Sequence, residues 1–283
     1  MPTLHVVIPH YEEPATVEAC LGRVAAAPLP EGWAMRLHLV DDGSSAGSVT
    51  AAERTIGRLV EGGIDAELVR HPVNRGKGAA VRTGFARAVE TADEGDLVVI
   101  QDADLEYDPS DYAALMRPLV AGEADAVLGT RWGPHRRVSG LVARVHRFGN
   151  RVLTELSNLA TGERVTDMEC CYKLFTVPAL RAILPRLTEE RFGIEPQIVA
   201  GLAREGSRIV EVPVSYDPRG FESGKKIGVK DLLRALWVIG RERVAPAAGR
   251  SPAPWRGADD PRGRAPGAAR PSRSAQSAKA TPP

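Results

Sequence analysis

Several short polar clusters in this chain have the residue types and spacing to do chemistry, and each follows an apolar run of strand length. After residues 97–100 comes Gln101-Asp102-Ala103-Asp104-Leu105-Glu106. Two carboxylates two residues apart can turn to the same side as the chain leaves a sheet, and Glu106 repeats the spacing. Oxygen-only donors of this kind suit Mg²⁺ or Mn²⁺ rather than zinc. The same residues also compose an ordinary solvated acidic turn. After residues 37–40 comes Asp41-Asp42-Gly43-Ser44, where one carboxylate can accept from a base or a ribose, or simply cap a tight turn. Asn74-Arg75-Gly76-Lys77-Gly78 is a glycine-rich entry to a helix, a place where backbone N–H groups and Lys77 can meet a phosphate. It lacks both the P-loop spacing and the spaced glycines of a dinucleotide fingerprint, which counts against kinases and dehydrogenases.

Elements that could hold these clusters are legible over the first 130 residues. Apolar runs at 4–8, 37–40, 66–69, 97–100 and 126–128 alternate with stretches at 15–27, 49–61 and 78–91 in which apolar residues recur every three or four positions. That is the βαβ alternation of a mostly parallel, Rossmann-like α/β sheet with helices on both faces. In such sheets ligands bind beyond the C-terminal ends of the strands, where Pro9–Glu13, the Asp41 cluster, the Asn74 cluster and the Asp102 cluster all fall. Beyond residue 130 the pattern predicts helices over 139–160, 195–204 and 229–243, with strands at 171–175 and 209–216.

Charge and composition exclude some classes. With 37 Lys+Arg against 36 Asp+Glu in 283 residues, the net charge of +1 argues against a dedicated nucleic-acid binder. Three cysteines, Cys20, Cys170 and Cys171, suit reduced thiols in a cytoplasmic compartment better than a disulfide framework. No run is long and apolar enough for a membrane span, and the N-terminus has no basic region preceding its apolar run, so a signal peptide is not expected. Residues 245–283 carry eight prolines and, as their only large apolar residue, Trp255. Such a tail is expected to be disordered, which leaves one domain over 1–244. The tail carries +5 and the domain −4, so neutrality is a cancellation.

Taken in order, Pro9-His10-Tyr11-Glu12-Glu13, Asp41-Asp42-Gly43-Ser44, Asn74-Arg75-Gly76-Lys77-Gly78, Asp102-Ala103-Asp104 and Gly129-Thr130-Arg131 resemble the N-terminal half of the family 2 glycosyltransferases, which have a GT-A fold. Asn150, Thr166-Asp167-Met168-Glu169-Cys170-Cys171-Tyr172-Lys173, Arg191-Phe192-Gly193-Ile194-Glu195 and Glu211-Val212-Pro213 look like the dolichol-phosphate mannosyltransferase branch and its bacterial polyprenyl-phosphate relatives. The resemblance covers about 4–240.

It implies an inverting, metal-dependent transfer of a hexose from a GDP- or UDP-sugar to a polyprenyl phosphate. Pro9, Tyr11, Glu13 and Asp41 would hold the base and ribose. Lys77, Asp102, Ala103, Arg219 and Lys225 would complete the donor site, the last two on a loop that closes over the diphosphate. Asp102, Asp104 and Glu106 would bind the cation, and Arg131 would touch donor and acceptor phosphates. A phosphate acceptor needs no general base; a hydroxyl acceptor would make Asp167 or Glu169 a candidate base. A basic helical stretch with Arg136, Arg137, Arg144, His146 and Arg147 reads either as a solvated face or as a peripheral contact with the cytoplasmic membrane face. Two other readings remain: the same donor chemistry on a small soluble acceptor, and a catalytically silent binding protein of the same fold.

Overall fold

The computed structural model describes residues 1–132, 141–218 and 229–243, with side chains given for all of these except 141–146 and 229–231. Seven strands form one sheet in the order β3-β2-β1-β4-β6-β5-β7. They are β1 Thr3–His10, β2 Ala34–Asp41, β3 Asp65–Arg70, β4 Leu97–Ile100, β5 Ala126–Thr130, β6 Lys173–Thr176 and β7 Ile209–Pro213. The expected parallel sheet is present: β1 pairs in parallel with β2 and β4, β2 with β3, and β5 with β7. β6 runs antiparallel between β4 and β5.

The strand order reverses at β1, whose neighbours are β2 on one side and β4 on the other. A crevice therefore opens beyond the C-terminal ends of β1 and β4, the usual ligand site of an open α/β sheet. Four βα connections converge on it, which is why clusters 30 residues apart in sequence meet in space.

The helices follow their apolar stripes. α1 Val17–Ala25 buries Val17, Cys20, Leu21 and Val24; α2 Ala46–Glu61 buries Val49, Ala52 and Ile56; α3 Lys77–Thr91 buries Val81, Phe85 and Ala88. Two helices are absent from the sequence expectation. α4, Tyr112–Val120, contains Pro118, which removes one helical hydrogen bond and breaks the sequence signal without breaking the helix. α6, Val177–Ile183, is too short to show a period; the Thr176 hydroxyl accepts from Ala179 N–H at its start. α5 Leu141–Thr161, α7 Ile194–Glu205 and α8 Val229–Arg241 lie where the pattern places them. The last strand is shorter than expected, ending at Pro213 rather than at residue 216.

One contiguous core joins both sheet faces, from Leu4 and Val6 of β1 through Tyr112 and Met116 of α4 to Ile198 and Leu202 of α7. Residues 244–283 lie outside the described residues, as do Arg219 and Lys225.

Candidate active site

The ends of β1 and β2 are stitched together before they reach the crevice. Glu12 adopts a left-handed backbone, φ 51°, and its N–H donates to Ser44 Oγ while its carboxylate accepts from Ser45 N–H and Oγ–H. Tyr11, between these stitched segments, is 48 % exposed. Pro9 is half-buried, and Glu13 accepts a hydrogen bond from the Thr16 hydroxyl at 3.1 Å. Asp41 is fully buried: its Oδ1 lies 3.0 Å from His10 Nδ1 and its Oδ2 accepts from Ser44 N–H.

Asp42, given no role from sequence, is the keystone of the glycine-rich entry. Its carboxylate accepts from Arg75 N–H at 3.0 Å and Gly76 N–H at 2.6 Å, and its Oδ1 lies 2.6 Å from His71 Nδ1. Gly43, at φ +74°, lies so close to this loop that a Cβ would sit 2.5 Å from Asn74 N, and Gly76, at φ +105°, abuts the Glu190 carbonyl. Ala79 N–H, in the first turn of α3, donates to that same carbonyl. The backbone N–H groups of Arg75, Gly76 and Ala79 therefore have protein acceptors. The loop is a tertiary joint, and what it delivers to the crevice is Lys77.

Lys77 Nζ lies 2.9 Å from the Asp102 carboxylate and 3.1 Å from Glu195 Oε1, and Lys173 meets the other Glu195 oxygen at 2.5 Å. Burial opposes the Lys77 ammonium, but the carboxylates of Asp102 and Glu195 outweigh it and hold its pKa well above the ordinary lysine value. Lys173 is fully buried and also donates to the carbonyls of Met168 and Cys170. One end of the chain Lys173–Glu195–Lys77–Asp102 is thus sealed in the core and the other, Asp102, is open to the crevice with 21 % of its side chain exposed.

The acid loop itself does not gather three carboxylates. Ala103 is part of the core, and Asp104 turns its Oδ1 back to accept from Glu106 N–H. Leu105 has φ 64°, a left-handed conformation unusual for a leucine, which redirects the chain between the second and third acids. Glu106 is buried, its carbonyl accepts from Asp217 N–H, and Tyr107 bridges to Tyr216. Among the described residues no three acidic, His or Cys side chains converge as a metal cluster. Asp102 and Asp104 fit a hard divalent cation by their donor chemistry and their place at the strand end, whereas Glu106 ties the loop to the segment after β7.

Arg131, 5 % exposed, follows β5 and is locked to Asp167: its N–H and Nε–H donate to Oδ2 and its Nη2 to Oδ1, at 2.7–2.9 Å. Asn150 of α5 donates to Asp167 as well, and Glu211 of β7 accepts from Thr166 N–H and Asp167 N–H. The guanidinium sits 5.3 Å from the ring centres of both Trp132 and Tyr216. Burial alone would raise the Asp167 pKa, yet Arg131 holds it below the usual carboxylate range. Glu211 is pushed up to about 7, and so is Glu169, both chiefly by burial. Glu169 Oε1 has no hydrogen-bond partner among the described residues. Of the basic residues at 136–147, only the Arg147 side chain is described; it lies 5.1 Å from the Trp132 ring centre.

A family model, glycosyl transferase family 2, matches residues 5–184 and so takes in every cluster from β1 to Glu169. The chain belongs to glycosyl transferase family 2. Family members similar to it include a dodecaprenyl-phosphate galacturonate synthase from Rhizobium johnstonii, 30 % identical over 82 % of this chain and 64 % of the relative. An undecaprenyl-phosphate 4-deoxy-4-formamido-L-arabinose transferase from Edwardsiella ictaluri is 30 % identical over 83 % of this chain and 66 % of its own length. The chain thus spans about two thirds of the length of these curated relatives. Among solved structures, glucosyl-3-phosphoglycerate synthase from Mycobacterium tuberculosis, in complex with Mg²⁺ and uridine diphosphate, superposes with a TM-score of 0.60 at 20 % identity over 88 % of this chain and 82 % of that one. That likeness shows the GT-A fold expected for the family.

Proposed function

We propose that this family 2 chain transfers a hexose from a nucleotide diphosphate sugar to a polyprenyl phosphate. The observation that carries this reading is the engagement of Asp167, one of the two candidate bases: Arg131 and Asn150 fill its lone pairs and commit it to an ion pair, which leaves only Glu169, its Oε1 unpartnered among the described residues, to serve a hydroxyl acceptor. A phosphate monoester, with a second pKa near roughly 6, needs no such base. Relatives named for dodecaprenyl and undecaprenyl phosphate add support.

In this mechanism an acceptor phosphate oxygen attacks the anomeric carbon, the bond from that carbon to the β-phosphate oxygen breaks, and the electron pair leaves on the nucleoside diphosphate. A single in-line displacement inverts the anomeric centre. Tyr11 offers the base a stacking face. Pro9, Glu13 and Asp41 shape the donor pocket, with Asp41 acting through the turn it holds, since its side chain is fully buried. Asp102 and Asp104 would hold Mg²⁺ or Mn²⁺, which neutralises charge growing on the leaving diphosphate. Lys77, beside Asp102, adds a fixed positive charge at the same place. Arg131, oriented by Asp167 and stacked between two aromatic rings, is a guanidinium that needs little reorganisation to meet an incoming phosphate. Arg219 and Lys225 complete the donor site, and the acceptor reaches it from the cytoplasmic membrane face.

A second reading, a small phosphorylated soluble acceptor, is favoured by the fold's likeness to glucosyl-3-phosphoglycerate synthase. No helix among the described residues is long and apolar enough to cross a membrane. One assay separates the two. The chain is incubated with radiolabelled UDP- and GDP-hexoses, Mn²⁺, and either a short-chain polyprenyl phosphate or phosphoglycerate, then extracted into organic solvent. Label in the organic phase, dependent on the lipid, supports the first reading. Label confined to the aqueous phase with phosphoglycerate supports the second.

A further inference from the structure

Gln101 joins β4 to the acid loop and is fully buried. Its backbone N–H donates to the Val7 carbonyl of β1 at 2.9 Å, which anchors the start of the loop to the sheet. Its side chain is engaged at both ends. Nε2 donates to the Asp102 carbonyl at 3.0 Å, and the hydroxyls of Tyr112 and Tyr172 each donate to Oε1 at 2.7 Å. A backbone carbonyl can only accept, so the amide nitrogen must face Asp102. Oε1 is then left to the tyrosines, and both hydroxyls must be donors. One constraint thus sets the direction of all three bonds and fills both lone pairs of Oε1.

The bond from Nε2 falls on the peptide that separates the two carboxylates of the acid loop. Cys20 of α1 points its thiol at the same carbonyl, at 3.6 Å, and Ala103 on the other side of the peptide is seated in the core. That peptide is therefore held from both ends, just ahead of the left-handed backbone at Leu105. The clamp on Gln101 is itself assembled from distant segments: Tyr112 opens α4 and Tyr172 leads into β6, with their ring centres 5.8 Å apart. Tyr107 accepts from Cys171 N–H and packs 4.8 Å from Tyr172 and 5.2 Å from Tyr216, which in turn lies 5.3 Å from the Arg131 guanidinium. Four of the chain's five tyrosines thus form one row behind the crevice, running from the acid loop to Arg131.

We propose that Gln101, clamped by Tyr112 and Tyr172, is a positioning residue for the cation site, fixing the Asp102–Ala103 peptide and with it the separation and aim of the Asp102 and Asp104 carboxylates. The proposal rests on the cation role given to those two residues. Gln101 supplies no ligand of its own and acts through the backbone of Asp102. Loss of an outer partner of this kind typically costs about 10- to 100-fold in metal affinity.

The test is Mn²⁺ binding to the full chain, followed by electron paramagnetic resonance with uridine or guanosine diphosphate present and no acceptor. Gln101→Met keeps the length of the side chain and removes both hydrogen-bonding functions. Tyr112→Phe with Tyr172→Phe keeps Gln101 and both rings and removes only the hydroxyls. Each is expected to weaken Mn²⁺ binding at least roughly tenfold and to broaden the spectrum of the bound ion, because the ligand geometry is no longer single. Ile56→Ala, a core truncation in α2, controls for lost stability: it should lower the urea midpoint and leave Mn²⁺ affinity at the parent value. Parent-like affinity and spectrum in the tyrosine pair and in Gln101→Met would overturn the proposal while leaving the cation role of Asp102 and Asp104 in place. Equal loss in Ile56→Ala would overturn it too, by assigning the effect to general destabilisation. A parent chain that binds no Mn²⁺ would remove the cation role and this proposal together. Should Gln101→Met fail to fold, the tyrosine pair alone decides the outcome.

Discussion

Lys77 and Asp102 form an ion pair across the crevice, 2.9 Å apart, linking the first turn of α3 to the end of β4. Behind it, Glu195 is shared between Lys77 and Lys173, so two cations balance two carboxylates in a half-sealed row. Removing Lys77 exposes both of its functions. Lys77→Met leaves Glu195 with Lys173 alone and is expected to lower the unfolding free energy by roughly 2 kcal/mol, below the range for a buried charge left wholly unpaired. It also removes a positive charge from beside the proposed diphosphate site. Urea denaturation measures the first effect, and isothermal titration with a nucleoside diphosphate, expected to weaken at least tenfold, measures the second.

Asp104 contrasts with Lys77 because its Oδ1 accepts from Glu106 N–H, two residues along its own loop, instead of joining distant elements. Asp104→Ala should abolish sugar transfer while shifting the thermal midpoint by only a few degrees. Asp104→Asn keeps an acceptor for that amide and loses the charge, so it should fail in transfer with the midpoint of the parent. Full activity in either variant, or undiminished activity of the parent chain in excess EDTA, would remove the cation role.

Much of this fold is visible in local pattern. Five strand runs, the βα alternation and the acid loop after β4 follow from alternation and turn chemistry that act over a few residues. The partnerships that set the site do not. Lys77, at the start of α3, meets Glu195 of α7, and Arg131, just after β5, meets Asp167 ahead of β6; both partnerships join segments far apart in sequence. Asp42 stands in the same doublet as Asp41, and no spacing rule distinguishes the carboxylate that grips the glycine loop from the one that turns toward His10. Glu106 shows the reverse: its spacing from Asp104 matches that of a third ligand, and the left-handed backbone at Leu105 carries it into the protein instead. Pro118 concealed α4 because its cost is local while the burial of Tyr112, Leu115 and Met116 that repays it is tertiary.

Gly76 is the point where the glycine loop, Asp42 and the 189–191 segment meet. Its positive φ disfavours any side chain, and a Cβ would come 2.5 Å from the Glu190 carbonyl oxygen. Gly76→Ala is therefore expected to cost at least about 2 kcal/mol, combining backbone strain with displacement of Glu190. Because α3 carries Lys77, donor affinity should fall with it. Gly22→Ala, in α1 where a Cβ meets nothing within 4 Å, serves as the control and should be neutral or slightly stabilising in the same denaturation experiment.

At Arg131 the guanidinium donates twice to Asp167, and the backbone N–H adds a third bond. Lysine cannot reproduce that fork. Arg131→Lys should cost about 3 kcal/mol in stability, since the Asp167 carboxylate is fully buried, and should reduce transfer at least a hundredfold. Asp167→Asn tests positioning separately. If Asp167 acts through Arg131, the variant lowers kcat and raises the acceptor KM without changing the pH profile; a base would shift that profile.

Away from the crevice, His5 and His38 stack across β1 and β2 with ring centres 5.2 Å apart, His5 Nδ1 lying 2.9 Å from His38 Nε2. Asp96 meets the outer side of His5, and Glu67, itself held by Arg87, meets the outer side of His38. Burial lowers both histidine pKa values, His38 to about 4, and overrides the raising effect of the neighbouring carboxylates. Both rings are therefore neutral in the folded chain at pH 7. Between about pH 6.5, where an unfolded histidine titrates, and pH 4, the unfolded state binds more protons, so stability falls as pH falls through this window. His38 alone would account for up to about 3 kcal/mol by the bottom of that range. Urea midpoints measured from pH 7.5 to pH 4.5 should decline steadily, and His38→Gln, which cannot take up a proton, should flatten the decline while lowering the midpoint at pH 7.5. An unchanged slope in that variant would place the acid sensitivity elsewhere.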